Sequence, residues 1–204
     1  MINFKSGLIY CIMSSIMIPA LVILIVFSSI YGNALDIISF TLFGSSLFLL
    51  FLFNTLYYWI KNETASKIFL KLKNVFSYAF IAATYTCICL GPLIGPWGWS
   101  IFGVVCGLSL LGIIFSSIWS NIPNIIILIS RIIIVLILFI ALKPLSLVFL
   151  SINFIGLILF IFAYTFYLFS GIFKLKNWHF LTSIFSILGA VCSYVFLIKY
   201  LLFI

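Results

Sequence analysis

Seven long apolar runs, separated by short polar or Gly- and Pro-rich breaks, set the pattern of this chain. The first run covers about residues 8–30 and contains Pro19, tolerated as a kink because neighbouring helices can satisfy the carbonyl it frees. The turn YGNALD leads to a second run, 37–60. KNETASKIFLKLK, the most polar stretch, separates it from a third run at 74–90. GPLIGPWGW closes with Trp97 and Trp99, as an interfacial turn should, and opens a fourth run at 100–118. After the break SNIPN, further runs follow at 125–142, 145–169 and 179–203. About 20 apolar residues in a helix cross a bilayer core of about 30 Å. The pattern therefore predicts an all-α integral membrane protein, a single seven-transmembrane-helix bundle over residues 1–204. The beginning, MINFKSG before an apolar run, resembles a signal peptide, but 8–30 is too long for a typical h-region. A retained first helix is the expectation.

Composition strengthens this reading. Hydrophobic residues make up 67% of the chain and charged residues 6%, and the mean hydropathy is +1.48. Soluble domains have roughly 45–50% apolar and about 25% charged residues, so the bilayer has to be the solvent. The net charge of +8 does not point to nucleic acid, because the basic residues form no single stripe and fall mostly between apolar runs. They set the orientation instead. Lys5, Lys61, Lys67, Lys71, Lys73, Lys174 and Lys176 fall on one set of breaks and only Lys143 on the other, which predicts a cytoplasmic N-terminus and an outer C-terminus. Lys199 weakly opposes this. Arg131, about two turns inside the fifth run, is expected to snorkel to the cytoplasmic face. Cys11, Cys87, Cys89, Cys106 and Cys192 all lie in apolar stretches without zinc-ribbon spacing, and read as small buried hydrophobes.

Several segments resemble the hemolysin III family, the bacterial branch of the progestin and adiponectin receptor superfamily. They are GNALDIISFTLFGSSLFLLFLFNTLYY (32–58), YAFIAATYT (78–86), GPWGWSIFGVVCGLSLLGI (95–113), IALKPL (140–145), and KLKNWHF followed by LGAVC. The resemblance implies a seven-helix bundle with a cytoplasmic N-terminus. It also implies a site: a Ser and a His one turn apart ending helix two, an Asp starting helix three, and a His-x-x-x-His pair starting helix seven. In receptor members three His hold zinc, and a lipid-amide hydrolase reaction has been proposed. Three imidazoles leave zinc an open position for water.

Here those positions read Asn54, Tyr58, Lys73, His179 and Ser183, so only His179 matches. The chain has a single histidine, and no register shift can supply three imidazoles. Its two acids are Asp36, on the predicted outer side, and Glu63. A Lys ammonium in place of the Asp repels a divalent cation. The family's zinc cofactor is therefore not expected, and neither is a catalytic centre of the family type.

What the five positions do instead has two readings. One is a remnant polar pocket at the cytoplasmic face, binding a lipid headgroup or anion with Lys73 and His179 as donors. The other is ordinary interface furniture: Tyr58, Trp59 and Trp178 as interfacial aromatics, Lys73 and Lys176 as positive-inside flanks, Asn54 and Ser183 bonding across helices. The expected role is structural, lipid-binding or membrane-homeostatic in a bacterial inner membrane, with membrane lipids as partners. Two alternatives are a lipid amide hydrolase using His179 as base with Ser183 or Tyr58, and a small cytolytic pore, which the scarcity of charges within the spans disfavours.

Overall fold

The computed structural model describes residues 4–93, 95–119, 123–140 and 154–201. Among them are seven α-helices and no strand. They are α1 (Phe4–Tyr31), α2 (Ala34–Trp59), α3 (Glu63–Leu90), α4 (Pro96–Ile118), α5 (Asn124–Ile140), α6 (Phe154–Leu175) and α7 (His179–Phe196), the last running into a π-helical turn, Leu197–Leu201. Five of them (α1, α2, α4, α6 and α7) are long and apolar enough to cross a membrane. Lys143, most of the segment 140–145, the start of the sixth predicted span and the end of the seventh lie outside the described residues.

Two boundaries differ from the sequence expectation. The polar stretch 61–73 is not a loop: from Glu63 onward it is the beginning of α3. The Asn62 side chain accepts from the amides of Thr64 and Ala65, at 3.0 and 3.4 Å, satisfying orphan donors of the first turn. The helix then has 28 residues, about 42 Å, longer than the hydrocarbon core, so a polar end can stand outside it. Asn62→Ala is expected to cost about 1 kcal/mol locally. Faster hydrogen exchange of the Thr64 and Ala65 amides, with the rest of α3 unchanged, would register it.

The sixth span was expected to end near residue 169, yet α6 continues to Leu175. Gly171 does not break it. A Cβ there would run into the Leu128 side chain, so the glycine serves close packing between α5 and α6. The helix ends instead in a Schellman turn, with Asn177 in the left-handed region at φ 57°. The Trp178 amide donates to the Phe173 carbonyl at 3.0 Å and the Asn177 amide to Lys174 at 3.2 Å. Phe173 and Trp178 stack across the turn with ring centroids 5.9 Å apart. This turn sends α7 back antiparallel to α6.

Each of the pairs α1–α2, α2–α3, α3–α4 and α6–α7 packs side by side, and α7 returns to α1. Polar side chains fasten the helices from within. Tyr194 donates to the Ala20 carbonyl at 2.7 Å, joining α7 to α1. Tyr85 donates to Val135 at 2.8 Å, joining α3 to α5, and Ser170 to Thr182 at 2.9 Å, joining α6 to α7. Ser39, Ser183, Asn54 and Thr86 are buried, while Ile12, Val22, Leu110 and Ile133 are about half exposed. Apolar outer faces, with the polar side chains turned inward, are what a lipid solvent selects.

Candidate functional site

The connections bring one end of α2, α3, α6 and α7 together, joined there by the start of α1 and of α5. Asp36, Trp97 and Trp99 belong to the opposite end, where Asp36 accepts from the Asn33 amide at 2.8 Å. All five positions singled out from the sequence lie at the first end.

Tyr58 is at its centre, buried in the last turns of α2. Its ring meets the His179 imidazole edge-on, centroids 5.8 Å apart, and stacks nearly parallel on Tyr10 of α1 at 5.9 Å. The Lys73 ammonium lies 4.8 Å from the Tyr57 ring centroid and 5.0 Å from that of Tyr58. This cation–π contact replaces the counter-ion the site lacks. Lys73 is itself buried.

Ser183 is fully buried, but its hydroxyl donates at 2.9 Å to the His179 main-chain carbonyl rather than to the imidazole. The His179 Nδ1 is buried without a protein partner. The Asn54 amide donates to Leu50 at 2.7 Å, and its Oδ1 is likewise unpartnered. Four of the five positions therefore adjoin one another around Tyr58 and His179. Asn54, one turn deeper on α2, opens with Lys73 onto a cavity inside the bundle.

That cavity, of about 150 Å³, is lined by α3, α5, α6 and α7, with Tyr10 of α1 and Leu50 and Asn54 of α2. Lys73, Arg131 and Lys174 line it together. Arg131 corrects the sequence expectation: it turns inward rather than snorkelling. A guanidinium Nη donates to Asn74 Oδ1 at 3.3 Å, and the group lies 5.3 Å from the Tyr78 ring centroid. Asn74 and Tyr78 on α3 give it polar and π partners at that depth, so reaching for the headgroups gains nothing. Its Nε is buried and unpartnered. In the sequence Arg131 stands out only by its place two turns inside an apolar run, which does not tell an inward charge from a snorkelling one. Lys174 gives no signal, because at the end of a span it is indistinguishable from a flank.

A bundle of antiparallel helices with apolar outer faces and polar side chains set into an apolar core is a multi-pass membrane protein. Its similarities place it further. The chain is 43% identical over 98 residues to Hemolysin-3 of Bacillus cereus, covering 48% of this chain and 45% of that one. It is 45% identical over 98 residues to the Hemolysin-3 homolog of Bacillus subtilis, covering 48% and 46%. The matched region spans about half the length of these curated relatives. These similarities support membership of the hemolysin III family. No family model matches the chain, and no solved structure does.

Proposed function

We propose that this is a hemolysin III-like protein of the bacterial inner membrane that works without the zinc chemistry its family resemblance implies, and that its role is to bind membrane lipid at the cytoplasmic end of the bundle. In this reading all seven helices span, with the N-terminus inside and the C-terminus outside. The observation that carries it is a replacement of charge. Where the resemblance implies a carboxylate and three imidazoles, the chain has Lys73 against Tyr57 and Tyr58, and one imidazole. Cationic donors facing an interior cavity suit an anion, whereas they repel a divalent metal.

The hydrolase alternative fares worse on geometry. A serine nucleophile needs its proton within reach of a base, and the Ser183 hydroxyl is committed to a main-chain carbonyl. Tyr58 meets the imidazole ring to edge, with centroids 5.8 Å apart.

The test is the metal content of the purified, detergent-solubilised protein by mass spectrometry, beside His179→Ala. Both are expected to hold far less than one zinc per chain. Near-stoichiometric zinc that disappears in the variant would overturn the reading and require ligands from cysteine, water or a second chain.

A further inference from the structure

Lys73, Arg131 and Lys174 come from three different helices, α3, α5 and α6, and line one cavity. They are near enough to feel one another's charge: Lys73 that of Arg131, and Lys174 that of both. Three cations in the interior of a membrane bundle repel strongly unless an anion joins them. No acidic side chain can do so. The chain has two acids. Asp36 sits at the opposite end, and Glu63 lies ten residues before Lys73, about 15 Å away along the axis of α3. An anionic ligand would supply the counter-charge that no acidic side chain provides.

The rest of the cavity describes that ligand further. It runs beside α6 from Lys174 to Phe160, fourteen residues or about 21 Å, and beside α7 from Thr182 to Leu197. Phe160, Phe196 and Leu197 form its far end. One charged end and a single long apolar end describe an amphiphile with one chain. The Tyr164 hydroxyl, on α6 between the two ends, is buried without a protein partner. An unpartnered hydroxyl part-way along the wall calls for an oxygen atom on the ligand beyond its headgroup, as in a glycerol ester. A guanidinium with two ammoniums matches a phosphate monoester, which carries close to two charges, better than a singly charged carboxylate.

We infer that this cavity binds a single-chain lipid phosphate monoester of the lysophosphatidic type, its phosphate held by Lys73, Arg131 and Lys174 and its acyl chain directed toward Phe160 and Phe196. The inference rests on the lipid-binding reading above and names the lipid.

The test is binding to the purified full-length protein in a neutral maltoside detergent, followed by native mass spectrometry and by the rise in unfolding temperature. The probes are a 1-acyl lysophosphatidic acid, the matching lysophosphatidylcholine, the free fatty acid and inorganic phosphate. The phosphate monoester is expected to bind one per chain, at least 10-fold tighter than each of the others. Arg131→Gln with Lys174→Gln is expected to weaken it at least 10-fold, while Lys176→Gln, outside the cavity, leaves it unchanged. If the double variant does not fold, the ranking of the four probes on the unaltered protein still decides. Inorganic phosphate binding as tightly as the lipid would overturn the lipid assignment. Preference for the fatty acid or the phosphocholine lipid would overturn the headgroup while leaving lipid binding standing. Binding of none of the four would end both.

Discussion

Replacing Tyr58→His, Lys73→Asp and Ser183→His together is expected to raise bound zinc from the far less than one per chain proposed for the parent to roughly one per molecule. The reason is geometric. Residues 179 and 183 are four apart, and share one face at the start of α7. The rings at 58 and 179 already meet at 5.8 Å between centroids, close to the separation of about 5 Å for two imidazoles on one tetrahedral zinc. The ammonium that would oppose the metal faces the same ring at 5.0 Å. Changing it to a carboxylate reverses the sign of the local field and supplies a group to orient bound water. The cost lies at Ser183, which is fully buried. An imidazole there overpacks the helix end by about 1–3 kcal/mol in the metal-free protein. The triple variant should therefore unfold at a lower temperature than the parent without zinc and recover with it, since a ligand that binds only the folded state raises its stability. Metal analysis with thermal unfolding, with and without added zinc, gives both readings. A folded triple variant that takes up no zinc would show that these helix ends do not converge as described.

The second large effect concerns the opposite end of the bundle. Gly98→Val is expected to destabilise the protein by more than about 3 kcal/mol, enough to abolish recovery of folded material. A Cβ at Gly98 would collide with the Leu93 carbonyl oxygen and come within 2.7 Å of that of Cys89. Both oxygens belong to the turn that ends α3 and starts α4, and are main-chain atoms that cannot swing aside. Gly95, capping the same helix at φ 153°, adopts a conformation open essentially only to glycine, and leaves that turn no slack. The control is Gly103→Ala in the same helix, where a Cβ meets nothing within 4 Å. That change should be neutral or stabilising by up to about 1 kcal/mol, the helix-propensity difference. Equal recovery of the two variants in detergent, by gel filtration and thermal unfolding, would refute the argument from Gly98.

The breadth of the apolar runs alone predicted a helical membrane bundle, because length and hydropathy are local properties of a segment. Its boundaries were less legible where charge and helix coincide. Residues 61–73 look like a loop by polarity, yet Asn62 caps a helix that lysines do not oppose once its end stands clear of the hydrocarbon. The sixth run, read as ending at 169, continues as helix to Leu175 and ends where Asn177 takes the left-handed conformation. The same division separates the candidate site. Asn54, Tyr58, Lys73, His179 and Ser183 could be placed at one end by counting spans, and the structure brings four of them together around Tyr58 and His179.

By itself, the sequence determined the solvent this protein lives in, the number of long apolar runs and the shortage of imidazoles and carboxylates, all of which follow from which residues are present and in what order. Only the tertiary structure decided that Arg131 and Lys174 turn toward Lys73 in one cavity. The physical reason is that a long side chain near a membrane face has two polar destinations, outward to the headgroups or inward to a partner on a neighbouring helix. The choice rests on what that neighbour offers: for Arg131, Asn74 and Tyr78 on α3, more than fifty residues away in the chain.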